Sequence, residues 1–84
     1  MNKTINFYQI CMDHYRSYLT WARHYRAEML GSKDDDSFRF YQCGLTRMMS
    51  KMEAVIELLT NSTIATPETL DKMWDDIYEL SDVK

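Results

Sequence analysis

The sequence predicts an all-α fold: a three-helix bundle built on a long antiparallel αα-hairpin, with a shorter C-terminal helix, in one domain spanning residues 1–84. Three observations predict it. Two long stretches repeat apolar residues at alternating steps of three and four, the helical period. The five-residue polar segment between them is too short for anything but an antiparallel return. The run Thr66, Pro67, Glu68 reads as a third helix start, with a Thr N-cap, Pro at the first helical position and an acid in the first turn.

The first helix is expected over residues 4–30, with Thr4 or Asn6 as its cap. Tyr8, Cys11, Tyr15, Tyr18, Ala22, Tyr25 and Met29 carry the period, and no Pro or Gly interrupts it. At about 100° per residue its apolar side chains cover roughly 220° of the wheel, more than one neighbouring helix can shelter. Ile10, His14 and Trp21 fall at the outlying edge of that arc. Either the third helix covers this edge, or it supports two-fold self-association. Gly31 follows Leu30 where a left-handed C′ residue ends many helices.

The second helix is expected over residues 37–60, with Phe38, Tyr41, Leu45, Met48, Met52, Val55 and Leu59 on its seam. The antiparallel return pairs Met29 with Phe38, Ala22 with Leu45, Tyr15 with Met52 and Tyr8 with Leu59. Small residues then meet at mid-hairpin, Ala22 against the Gly44–Leu45 step, and Gly44 is read as a close-approach position. Asp34, Asp35 and Asp36 supply an N-cap and negative charge at the positive end of the helix dipole. They lack the alternating ligands, central Gly and terminal Glu of a calcium loop. Residues 61–65 break the pattern, and the third helix follows over residues 67–80 with Leu70, Met73, Ile77 and Leu80 facing inward.

With apolar residues at 45% of the chain, intrinsic disorder is a poor account. No apolar run approaches the ~20 residues that cross a bilayer. The cysteines Cys11 and Cys43 form no CxxC and no secretory segment precedes them, which points to a reduced, cytoplasmic protein. The net charge of −3 is unevenly spread, from +2 over residues 1–30 to −4 over residues 61–84. An acidic balance of this kind argues against nucleic acid as a partner. Arg16, Arg23, Arg39 and Arg47, on outer helix faces, are the residues a nucleic-acid-binding regulator would use.

Little in the chain suggests catalysis, a cofactor or a metal. The two histidines, His14 and His24, lie on different faces about 15 Å apart by the rise of an α-helix. Cys11 and His14 stand one turn apart, but no further ligands join them, and zinc needs three or four. Phosphate loops, nucleophile elbows and the ExxH pairs of dimetal bundles are absent. The expectation is a protein without enzymatic activity.

The third helix carries the most suggestive surface. Glu68, Asp71, Asp75, Glu79 and Asp82 fall within about 80° of one another on its wheel, and Trp74 and Tyr78 border that strip. Like charges this close repel. Trp74 and Tyr78 as anchors, with Asp71, Asp75 and Glu79 steering, would suit a basic protein partner. In its small size, acidity, aromatic content and lack of catalytic residues the chain resembles, in style though in no motif, accessory proteins of phages and mobile elements, including anti-restriction and anti-CRISPR inhibitors. That resemblance implies an inhibitor or modulator of a larger protein. A self-associating scaffold built on Ile10, His14 and Trp21 is the alternative, and a nucleic-acid-binding regulator a third.

Overall fold

The computed structural model describes residues 3–82, with side chains from Phe7 to Asp82. Three helices follow in order: α1 (Lys3–Leu30), α2 (Asp35–Ser62) and α3 (Pro67–Ser81). No strand occurs among the described residues. Each long helix has 28 residues, about 42 Å at 1.5 Å per residue. They pack antiparallel along most of that length, and α3 lies mainly on α2 with a smaller contact to α1.

The hairpin seam repeats by sevens. Tyr15, Ala22 and Met29 are buried on α1, and Leu45, Met52 and Leu59 on α2. A seven-residue repeat keeps one narrow stripe facing the partner helix, as in coiled coils. Ile56 joins the α2 stripe, and Met73, Ile77 and Leu80 close the core from α3. No charged side chain among the described residues is buried.

The helix ends differ from expectation in three places. The helical backbone of α1 already includes Thr4 and Asn6, so neither is its N-cap; the cap position lies outside the described residues. No glycine has a positive φ, so Gly31 is not a left-handed C′ residue. The last turn of α1 closes otherwise: the Gly31 amide donates to the Ala27 carbonyl (3.1 Å), the Ser32 amide to Met29 (3.2 Å) and the Ser32 hydroxyl to Glu28 (2.8 Å). With those carbonyls satisfied, no left-handed residue is needed. Third, α2 extends two residues further at each end than the periodicity indicates. Asp34 caps its start, accepting from the Ser37 amide at 2.8 Å, and Asp35 and Asp36 occupy the first turn. These hydrogen bonds hold the Asp34 carboxyl below its ordinary range.

At the far end of α2 the left-handed residue is Thr63, with φ 57° and ψ 26°. A β-branched side chain is strained there. The turn admits α3 three residues later, where Thr66 caps the helix by accepting from the Thr69 amide and Pro67 fills the first position.

Gly44 is buried, as a close-approach residue should be, and what stands nearest the place of its missing side chain is Tyr25. A Cβ at Gly44 would lie 2.8 Å from two carbons of the Tyr25 ring. The missing side chain makes room for an aromatic ring rather than for another small residue.

Candidate interaction surfaces

The surfaces follow from which side of the hairpin α3 occupies. It is tied to α1 through Tyr15, whose buried hydroxyl lies 2.8 Å from an Asp76 carboxylate oxygen and 3.0 Å from the Met73 carbonyl. Arg26 donates to the Asp82 carbonyl close by. On the α2 side, Leu80 lines one cavity with Phe38, Leu45 and Met49, and Trp74 lines a groove with Glu53, Glu57 and Thr60. Burial, then the hydrogen bond and charge of Asp76, push the Tyr15 phenol far above its ordinary value, with Arg23 opposing. Tyr15 therefore stays protonated and acts as a donor.

The outer face of α3 forms the first candidate surface. Trp74 is half-buried against the core and stacks on Tyr78 at 6.2 Å between ring centroids; Tyr78 is 65% exposed. Asp71 and Asp75 are exposed beside this pair. Glu53 and Glu57 reach the same groove from α2, so the indole lies between carboxylates of two helices. The two glutamates escaped sequence reasoning because nothing in the pattern of α2 tells which flank α3 will choose. Glu79, grouped with Trp74 by the wheel, instead lines a cleft on the opposite flank with Arg23, Arg26 and Asp76. Among the described residues the only salt bridge is Arg16–Asp13 at 3.4 Å, so the carboxylates of the Trp74 groove pair with no cation among them.

The second candidate surface is the hairpin face opposite α3. Ile10 (55% exposed) and Trp21 (52%) remain uncovered, and His14 is exposed with its ring on Tyr18 at 6.0 Å. The third helix does not reach this edge. An aromatic band crosses from one helix to the other: Trp21 to Tyr25 at 6.0 Å, Tyr25 to Tyr41 at 6.5 Å and Tyr41 to Phe40 at 5.2 Å, with Phe40 67% exposed. Farther along, the Lys51 ammonium sits 5.5 Å from the Tyr18 ring centre and Leu58 lines the same shallow groove. Phe40 and Leu58 carry no seam role in the sequence pattern. By the helical wheel both lie on the same side of α2 as Lys51.

Groups considered for chemistry stay apart. Cys11 is buried and its thiol pKa is raised by that burial, which lowers its reactivity, whereas His14 points into solvent. Cys43 is a free thiol at the surface. Among the described residues no three His, Cys, Asp or Glu side chains gather as metal ligands, and no helix is long and apolar enough to cross a membrane. The four arginines do not assemble into one basic face: Arg16 is paired with Asp13, Arg23 lines the cleft with Asp76 and Glu79, Arg47 lies toward the open hairpin face, and Arg39 is exposed on α2 about 80° round the wheel from Arg47. Compared with known proteins, the chain matches no family model, no curated protein and no solved structure.

Proposed function

We propose that this chain is a non-enzymatic binding protein of the cytoplasm that inhibits or modulates a larger, basic protein, docking it through the Trp74 groove. The observation that carries this reading is the stacked Trp74–Tyr78 pair, exposed at Tyr78 and flanked by Glu53, Glu57, Asp71 and Asp75, which form no salt bridge among the described residues. A half-fixed aromatic pair offers contact area at low entropic cost, and uncompensated carboxylates attract and orient Arg or Lys side chains. The guanidinium of an arginine fits both demands, since it stacks on an indole while donating to a carboxylate. An accessory role of the phage or mobile-element kind suits a protein whose working parts are all surface.

Titration of the labelled protein with Arg-rich and Lys-rich peptides, followed by NMR, tests it. Saturable shifts at Trp74, Tyr78 and the flanking acids are expected, with Arg favoured over Lys and affinity falling as salt rises. W74A/Y78A should abolish them while leaving helicity intact. Shifts scattered over the surface, or unchanged in that variant, would refute the proposal.

A further inference from the structure

We infer that the open hairpin face is a self-association surface whose occupant is a second copy of this chain. Two hairpins then pack face to face into a four-helix core, with both α3 helices on the outside. The inference is independent of the Trp74 groove and stands or falls on different residues.

Shape is the first support. The chain exposes 6025 Å², against about 5300 Å² for a folded monomer of its mass on the usual size scaling. Its radius of gyration is 14.5 Å, where a compact chain of this length has about 12 Å. The extents are 50 × 21 × 15 Å, so the molecule is a slab with one thin dimension. A slab leaves apolar side chains on the side that no element covers, and here these are Ile10, Trp21, Phe40 and Leu58.

Area is the second. The uncovered face is about 42 Å long and roughly 20 Å wide, the width of two packed helices. Its footprint of about 800 Å² is what each partner contributes to an interface of standard size.

Charge chooses the occupant and its orientation. By the helical wheel, Glu28 near the end of α1 stands in line with Ile10, and α2 between Phe40 and Ser62 places no carboxylate on this face, so along most of its length the face offers a basic partner little to pair with. The two sides differ: α1 presents aromatic rings, Tyr18 and Trp21, while α2 presents the cations Arg47 and Lys51. Lys51 already lies over the Tyr18 ring of its own chain. A two-fold axis along the hairpin sets α1 of each copy over α2 of the other, rings over cations, with every neighbouring helix antiparallel. The other two-fold, across the hairpin, brings α2 against α2 and cation against cation.

Sedimentation equilibrium at about 100 µM, a concentration that populates dimers of micromolar affinity, should give twice the 10.1 kDa chain mass. W21E/F40E changes two side chains that are at least half exposed, so it should keep its helicity and sediment as a monomer. The milder W21A/F40A should raise the dissociation constant about 100-fold or more, as two interface anchors do. A wild-type chain that stays monomeric at about 1 mM, or a dimer that survives W21E/F40E, overturns the proposal. So does a dimer lost in W74A/Y78A instead. Orientation is read by cross-linking in a C43S background, since Cys11 is buried. His14 and Ala54, one turn from Tyr18 and Lys51 respectively, share one height on the face. Mixed H14C and A54C chains should form the mixed disulfide; H14C linking only to itself, or no mixed product, contradicts this packing.

Discussion

Gly44→Ala tests the hairpin at its tightest point. By helix propensity alone, alanine at an interior helical position should stabilise by about 1 kcal/mol. The structure opposes this gain. The added methyl would stand 2.8 Å from Cδ1 and Cε1 of Tyr25 and 3.0 Å from Cγ, closer than carbon atoms pack. Cγ is the root of the ring, not a free end, and the ring is hemmed by Trp21, His24 and Tyr41 at centroid distances of 6.0, 5.8 and 6.5 Å. Forcing a methyl into such packing costs about 1–3 kcal/mol, so the net expectation is a destabilisation of up to about 2 kcal/mol. For a domain of this size that lowers Tm by roughly 4–8 °C per kcal/mol. The decisive step is the same substitution in a Tyr25→Ala background. With the ring gone, Gly44→Ala should change sign and stabilise by about 1 kcal/mol. Urea unfolding followed by circular dichroism, at one low protein concentration, measures all four variants. If Gly44→Ala stabilises the wild-type chain, the ring is not where the helix needs the glycine.

The two turns make opposite predictions. Thr63 is left-handed at φ 57°, so Thr63→Gly should stabilise by about 1–2 kcal/mol. Gly31 has no positive φ, and a Cβ there meets the Ala27 carbonyl oxygen at an ordinary 3.4 Å. Gly31→Ala should thus stabilise by about 0.4–1 kcal/mol, whereas a left-handed Gly31 would make it destabilising; thermal melts decide. Tyr15→Phe should cost about 1.5–3 kcal/mol, because it deprives the Asp76 carboxylate of its donor at 2.8 Å. The raised phenol value also fixes a pH dependence. The unfolded chain releases this proton above about pH 10 while the folded chain keeps it, so stability is whole below that pH and falls above it. Tyr15→Phe should flatten that alkaline fall in a denaturant series, and an unchanged slope would show that the phenol is not the group responsible.

The fold was legible wherever one local pattern settled the matter. The three-four rhythm of Tyr8 through Met29 and of Phe38 through Leu59 specified two helices, and Thr66–Pro67 specified the start of the third. What failed depended on groups distant in sequence. Gly31 read as a left-handed cap because Gly after a helix commonly is one, but Ser32 satisfied the carbonyls first. Gly44 was read correctly as a close approach, though the intruding atom belonged to Tyr25, about 60° round the wheel from the Ala22 that the seam pairing suggested.

The candidate sites show the same limit. A helical wheel places Trp74, Tyr78, Asp71 and Asp75 together because they share one helix. It cannot say that Glu53 and Glu57 complete their groove, or that Glu79 lines a cleft with Arg23 and Arg26. Those depend on which flank of the hairpin α3 takes, a choice tied to Tyr15 reaching Asp76 and to Leu80 joining the buried core. Similarly, the excess apolar arc of α1 was visible in sequence, with Ile10 and Trp21 at its edge, but the contribution of Phe40 and Leu58 to the same surface was not.

Both proposed surfaces rest on α3 covering one side of the hairpin and leaving the other bare. Nuclear Overhauser contacts in the dilute protein measure this directly. The Tyr15 ring should show contacts to Met73 and Ile77, and the Trp21 indole should show contacts to Tyr25 and none to any proton of α3. Contacts from α3 to Trp21 would place the third helix on the wrong face and contradict the account.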